Sequence, residues 1–242
     1  MSDAMKVIYI CFPEGKHKVL TMSYDDGKLA DRRLVSIFNH YGIKGTFHLN
    51  SGMHGPERIP SEEWKALYEG HEMSWHTVTH PTIARSPVEQ VAVQVLEDRR
   101  YIERIAGYPV RGFSYPNGSY NREIIELLPK LGIEYSRIVG NTDDFSMPEN
   151  YLAWEATCHH NHNLIENGKR FLELKKTQYM YMMYVWGHSY EFDRDNNWEL
   201  MEEFCEMMSG QEDIWYATNI QIVDYMKAAK NLRFTLDGDL VY

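Results

Sequence analysis

The sequence predicts an α/β fold whose parallel sheet closes, or nearly closes, into a barrel. Three observations predict it. Short runs rich in β-branched and aromatic residues alternate with longer amphipathic runs along the chain. The alternation repeats about seven times, and repeated strand–helix units imply a parallel sheet. No Pro-, Gly- or Ser-rich stretch divides the 242 residues, so residues 1–242 are expected to form a single domain. An open doubly wound sheet also alternates in this way, but no Gly-rich phosphate-binding fingerprint follows a strand candidate.

In chain order, Val7–Phe12 and Val19–Ser23 are strand candidates, Leu29–Tyr41 a helix, and Gly45–Leu49 a strand. Ser61–Glu69 reads as a helix and Glu72–Ser74 as a strand. The helix Pro87–Ala106 has the clearest start. Ser86 is an N-cap candidate, Pro87 suits the first helical position, and Glu89 completes a Ser-x-x-Glu capping box. Val88, Val91, Val95, Tyr101 and Ile105 can form its buried stripe, and Gly107 and Pro109 stop it. Arg111–Ser114 is a strand, and Arg122–Leu131 a helix that Gly132 separates from the strand Ile133–Arg137. Leu164–Lys175, Asn197–Met208 and Ile220–Lys230 are helices alternating with the strands Tyr179–Trp186 and Ile214–Thr218.

Composition excludes several classes. Hydrophobic residues make up 43% and charged residues 25%, which describes a folded chain. The net charge of −10 repels phosphate backbones, so no nucleic-acid partner is expected. No apolar run approaches the ~18 residues that cross a bilayer. Cys11, Cys158 and Cys205 are odd in number and far apart, so no disulfide framework is indicated. The run from Lys6 to Phe12 is too short for a signal-peptide core, and no small-residue cleavage site precedes Pro13. A cytoplasmic location is therefore expected, or export if a signal precedes this sequence.

In a parallel barrel, reactive groups sit where strands end and loops begin. Four clusters meet that condition. Strand Val19–Ser23 runs into Tyr24-Asp25-Asp26-Gly27. Adjacent carboxylates repel when both ionise, and a cation can hold one as ligand and leave the other as a base. Asp-Gly also suits a plain turn. The second cluster, His76-Thr-Val-Thr-His80, holds the one His-x-x-x-His pair in the chain, against about 0.5 expected by chance. On a helical turn both rings reach one ion; a surface turn with unrelated rings is the alternative. The third, Tyr115-Pro116-Asn117-Gly118, can aim backbone N–H groups at an oxyanion or serve as a simple β-to-α turn. The fourth ends a strand in Trp186-Gly187-His188, where His188 is either a general acid or a hydrogen-bonded core residue.

Together these clusters resemble, in content and order, the NodB-type polysaccharide deacetylases, family four of the carbohydrate esterases, as a divergent branch. The resemblance runs over roughly residues 19–190. It implies a distorted (β/α)7-type barrel and a metal-dependent hydrolase that removes acetyl groups from a carbohydrate. It assigns Asp25 as catalytic base, His188 as catalytic acid, and Asp26, His76 and His80 as ligands of one divalent ion. Zinc suits these ligands; cobalt, nickel and iron also fit. Tyr115 and Asn117 fall in the substrate and oxyanion loop.

The departures matter. Typical members carry Arg-x-Pro-Tyr-Gly in the third motif, and that Arg contacts the base; here the position holds Ser114 and the usual Tyr is Asn117. Arg111 points to the opposite strand face if it continues the strand from Ser114. Such changes leave two other readings: a metal-dependent hydrolase of a small cyclic amide or ureide, or a non-catalytic glycan-binding barrel. The dense run Cys158-His159-His160-Asn161-His162 reads as a pocket-lining segment, a second metal site or a solvated loop. Tyr190, Trp198, Trp215 and Tyr216 read as sugar-stacking or core aromatics.

Overall fold

The computed structural model describes residues 7–235. Its strands are β1 (Lys18–Asp25), β2 (Gly45–Leu49), β3 (Glu72–Trp75), β4 (Gly112–Ser114), β5 (Tyr135–Arg137), β6 (Cys158–His159), β7 (Tyr181–Gly187) and β8 (Ile214–Tyr216). Its helices are α1 (Asp31–Tyr41), α2 (Trp64–Leu67), α3 (Val88–Ala106), α4 (Arg122–Leu127), α5 (Leu164–Glu173), α6 (Tyr190–Asp195), α7 (Trp198–Met208) and α8 (Asn219–Asn231).

All strand pairings are parallel, in the order β5-β4-β3-β2-β1-β7-β6. Strand β1 is the axis. It pairs with β7 from Lys18 to Tyr24, while its other edge is shared by β8 at Lys18–Leu20 and β2 at Met22–Asp25. Every residue of β1 is buried, as expected where helices cover the outside and side chains fill the inside. Leu20, Met22 and Tyr24 join the outer core with the helices. Val19, Thr21, Ser23 and Asp25 alternate to the inner face. The interior is partly polar: Thr21 bonds Asn219, and Ser23 bonds His48. Across the gap between β5 and β6, Trp154 pairs with Arg137, its N–H donating to Ser136 and its carbonyl accepting from Ile138. The sheet therefore curls into the expected distorted (β/α) barrel.

Several sequence expectations shift. Val7–Phe12 is not a strand; Val7, Ile8, Tyr9 and Ile10 are exposed and only Phe12 is buried. Both edges of β1 are already paired, so no edge there remains for that run. Helix α3 starts one residue late. Pro87, at φ −54° and ψ 141°, is itself the N-cap, and no side-chain cap bond forms, so the Ser86 box is absent. The buried stripe is Val91, Val95, Asp98, Ile102 and Ala106, which places a carboxylate in the core. Strand β6 and helix α6 were not anticipated.

Candidate active site

Strand β1 delivers Asp25 as its last residue at the C-terminal end of the barrel. The chain then turns sharply: Asp26 takes φ 82° and Gly27 φ 60°. Left-handed backbone is tolerated by Asp and favoured by Gly. The turn is held by the Asp26 N–H donating to the His48 carbonyl at 2.9 Å, and by Arg58 donating to the Asp26 carbonyl.

The histidine pair does not sit on a helical turn. His76 follows β3, and the chain to His80 is a loop with Thr77 at φ 68° and His80 at φ 55°. A β-branched residue at positive φ is strained and persists only when its surroundings hold it. Asn50 does so by donating to the carbonyls of His76 and Thr77 at 2.7 and 2.9 Å. Asp98 accepts from the N–H groups of Ser51 and His76 at 2.7 and 3.1 Å. The outcome is that Asp26, His76 and His80 each bring one donor atom within 4.8 Å of the others. The His80 Nε2 to Asp26 Oδ1 distance is 4.0 Å.

His76 is tied from behind. Its Nδ1 lies 2.8 Å from the Ser114 carbonyl and 2.6 Å from the Ser114 hydroxyl, so the network assigns the ring proton to Nδ1 and leaves the Nε2 lone pair free. Burial pushes its pKa down to about 4 against the pull of Asp25 and Asp26, so the ring is neutral.

Asp25 is 3% exposed. Burial opposes its ionisation, but the Arg137 guanidinium, with His76, His48 and His188, outweighs this and holds the carboxyl well below the usual range. Arg137 donates to Oδ2 and Ser114 to Oδ1, the latter at 3.1 Å. Ser114 and Arg137 are register partners on neighbouring strands β4 and β5. The cation absent from position 114 thus arrives one strand over. Arg137 also lies 4.4 Å over the Trp186 ring. Arg111, as its strand position suggested, pairs with Glu134 and Asp224 instead.

One cavity of about 270 Å³ is lined by Asp25, Asp26, His76, His80, Tyr115, Asn117 and His188, together with Val139, Trp186 and Tyr190. A larger cavity of about 470 Å³, around Met147 and Glu149, shares no lining residue with it and holds no such constellation. All seven residues singled out from the sequence thus meet at one place. Tyr115, however, offers no donor: its hydroxyl binds the Leu152 carbonyl at 2.7 Å and its N–H the Arg137 carbonyl at 3.0 Å. Asn117, at φ 56°, forms the turn beside it. Burial alone would lower the His188 pKa, but Glu191, Asp25 and Asp26 outweigh it and raise it. Glu191 Oε2 lies 3.4 Å from His188 Nδ1.

The Cys158–His162 run splits. Cys158 is buried, and burial pushes its thiol up to about 12. His162 pairs with Asp143 at 2.9 Å, and His159 and His160 turn toward Glu191. Of the aromatics, Tyr190 reaches the cavity, whereas Trp215 packs on Phe12 and Tyr225. Arg137, Asp98 and Glu191 escaped the sequence reading. Each had a signal: a cation ending a strand, a carboxylate inside an apolar stripe, and a glutamate three residues after His188.

The sequence profile described as "Polysaccharide deacetylase" matches residues 12–136, just over half of the chain. The chitooligosaccharide deacetylase of Azorhizobium caulinodans is 27% identical over 127 residues, 52% of this chain and 55% of that protein. The match spans about half the length of such curated relatives. Among solved structures, a Mycobacterium smegmatis protein provisionally described as a polysaccharide deacetylase superposes with a TM-score of 0.68 at 16% identity, covering 91% of this chain and 94% of that one. An allantoinase superposes with a TM-score of 0.67 at 13% identity, covering 90% and 92%. At these identities the structural likeness is one of fold alone. The profile match goes further, and by it this chain, with its Asp-Asp and His-x-x-x-His clusters gathered at one barrel mouth, belongs to the polysaccharide deacetylase family.

Proposed function

We infer that the protein is a metal-dependent hydrolase that removes acetyl groups from an acetylated carbohydrate. The observation that carries this reading is the gathering of Asp26, His76 and His80 beside Asp25 and His188 around one cavity. One carboxylate and two imidazoles form a three-ligand set with positions left for water and substrate, which marks catalytic rather than structural zinc. The donors fit such an ion, because His76 is neutral and tethered through Nδ1, with Nε2 free to bind. Zinc is the first expectation, and cobalt, nickel and iron share the ligand preference. When bound, the ion supplies Lewis acidity toward the acetyl carbonyl and makes nearby water more acidic.

The chain's own residues do the rest. Asp25, kept ionised by Arg137, takes the proton of the attacking water. His188, whose protonated form is favoured by Glu191, Asp25 and Asp26, returns a proton to the departing nitrogen or oxygen. An amine departs readily only once protonated, so an acid in the same cavity as the base is required. Tyr190 on the cavity wall offers an apolar face to a sugar ring.

The test is acetate release from acetylated chito-oligosaccharide and acetyl-xylan, run beside a panel of small cyclic amides and ureides. Acetate release that disappears in Asp26→Ala supports the reading. Ring opening of a ureide with no acetate from any carbohydrate overturns it in favour of a small-amide hydrolase.

A further inference from the structure

A second group of donors stands at the C-terminal end of β6. His159 ends that strand, His160 follows it, and Glu191 lies in the first turn of α6. Glu191 Oε2 is 2.9 Å from His159 Nε2 and 3.4 Å from His160 Nε2. One donor atom from each of the three lies within 4.8 Å of the others. We propose that His159, His160 and Glu191 form a second site for a divalent transition-metal ion of the zinc type, separate from the Asp26–His76–His80 set.

His160 carries the argument. It is 0% exposed, and neither of its ring nitrogens has a hydrogen-bond partner. Burying a polar group without a partner is costly and rare in native proteins. The ring is nevertheless fixed in place. It stacks between Tyr24 at 5.7 Å and Phe192 at 4.1 Å. Gly187 makes room for it: a Cβ there would lie 2.0 Å from His160 Nδ1. The 3.4 Å separation of Nε2 from Oε2 satisfies no hydrogen bond, but it matches the edge of a tetrahedron with bonds of ~2.1 Å. A cation in that gap would accept the orphaned lone pair.

His159 supplies the entry path, with its side chain 17% exposed. Its Nδ1 accepts the Asn161 N–H at 3.1 Å, which places the ring proton on Nε2, facing Glu191. A cation takes that proton's place, so the ring proton must move to Nδ1 and the Asn161 N–H must turn away. Asn161 lies in an exposed turn whose side chain is tied to Asp195 and Asn197, so its backbone N–H must reorient around those two bonds. Metal uptake therefore leaves a local signature at the Asn161 amide.

The experiment strips the full chain with chelator, dialyses it against Zn²⁺ or Co²⁺, and counts bound ions by elemental analysis. Two ions per chain are expected, with one lost in Asp26→Ala, one in Glu191→Gln, one in His159→Ala, and both in the Asp26→Ala/Glu191→Gln double variant. Far-UV circular dichroism checks that each variant is folded. In ¹H–¹⁵N spectra the Asn161 amide should move on metal addition to Asp26→Ala and stay still in Glu191→Gln. A single ion lost with Asp26→Ala and kept in Glu191→Gln overturns the second site. A single ion lost with Glu191→Gln and kept in Asp26→Ala supports it, and overturns the catalytic metal set instead.

Discussion

Replacing Arg137 by Met keeps an apolar stem and deletes the guanidinium that pairs with Asp25. Both partners are buried, at 1% and 3% exposure, so water cannot re-solvate the stranded carboxylate. Removing one member of a buried ion pair costs about 3–5 kcal/mol. For a chain of this size each kcal/mol moves the melting temperature by about 2–4 °C, so it should fall by about 6–20 °C. Where the variant stays folded, Asp25 relieves its isolation by taking up a proton, and the base is lost. General-base catalysis contributes about 10²–10⁴ in rate, which sets the expected fall in kcat. The sign of the pH effect follows. In the intact protein the Asp25 pKa lies below its unfolded value, so its ionisation adds stability at neutral pH that is lost as pH falls through the depressed folded value. Without Arg137 that contribution vanishes, and the acid limb of kcat/KM moves to higher pH. Arg137→Lys restores charge but not the planar contact with Trp186, and should fall between. Scanning calorimetry and acetate release across pH 5–9 measure all of these. An Arg137→Met protein with unchanged melting temperature, kcat and acid limb refutes the pairing as the support of the base.

Asp26→Ala and His76→Ala should each abolish metal retention at the cavity, while Asp25→Asn keeps the ion and loses about 10²–10⁴ in kcat; elemental analysis beside acetate release separates the two outcomes. Asp98→Ala removes the side-chain acceptor for the Ser51 N–H and one of the two acceptors of the His76 N–H, whose bond to the Leu49 carbonyl remains, and should cost about 1–3 kcal/mol in urea unfolding. It should also weaken metal binding by up to about 10-fold, because the His76–Thr77 backbone loses one of its supports while the Ser114, Asn50 and Leu49 bonds remain. Glu72, buried inside the barrel, has its pKa raised from 4.5 to about 7. Its raised value adds stability that is full below pH 4.5 and lost as pH rises through about 7. Glu72→Gln should remove about 1.4 kcal/mol per pH unit from that decline, read from urea midpoints at pH 5, 6, 7 and 8.

Much of the fold was legible because a parallel barrel repeats one pattern. Gly45–Leu49 could be read to the residue, and Leu29–Tyr41 and Asn197–Met208 to within two residues at each end. What failed depended on tertiary context. Val7–Phe12 has strand composition, but both edges of the adjoining strand β1 are already taken. The Ser86 capping box has the right spacing, yet the backbone of Pro87 already fills the N-cap position. Strand β6 holds two residues, too few for periodicity to register. The candidate site was legible because its residues cluster at strand ends. Arg137 was missed for a different reason: its partner is 112 positions away, and only strand register brings them together.

That register has a consequence for how descent is read in such barrels. Positions 114 and 137 stand side by side on adjacent strands, aimed at the same carboxylate. The carboxylate is therefore reachable from either of two strands, and a cation on one can stand in for a cation on the other. A reading confined to position 114 misses the cation that supports Asp25. Lateral neighbours form the unit that selection can see, and vanished activity should be diagnosed only when both members of the couple have gone.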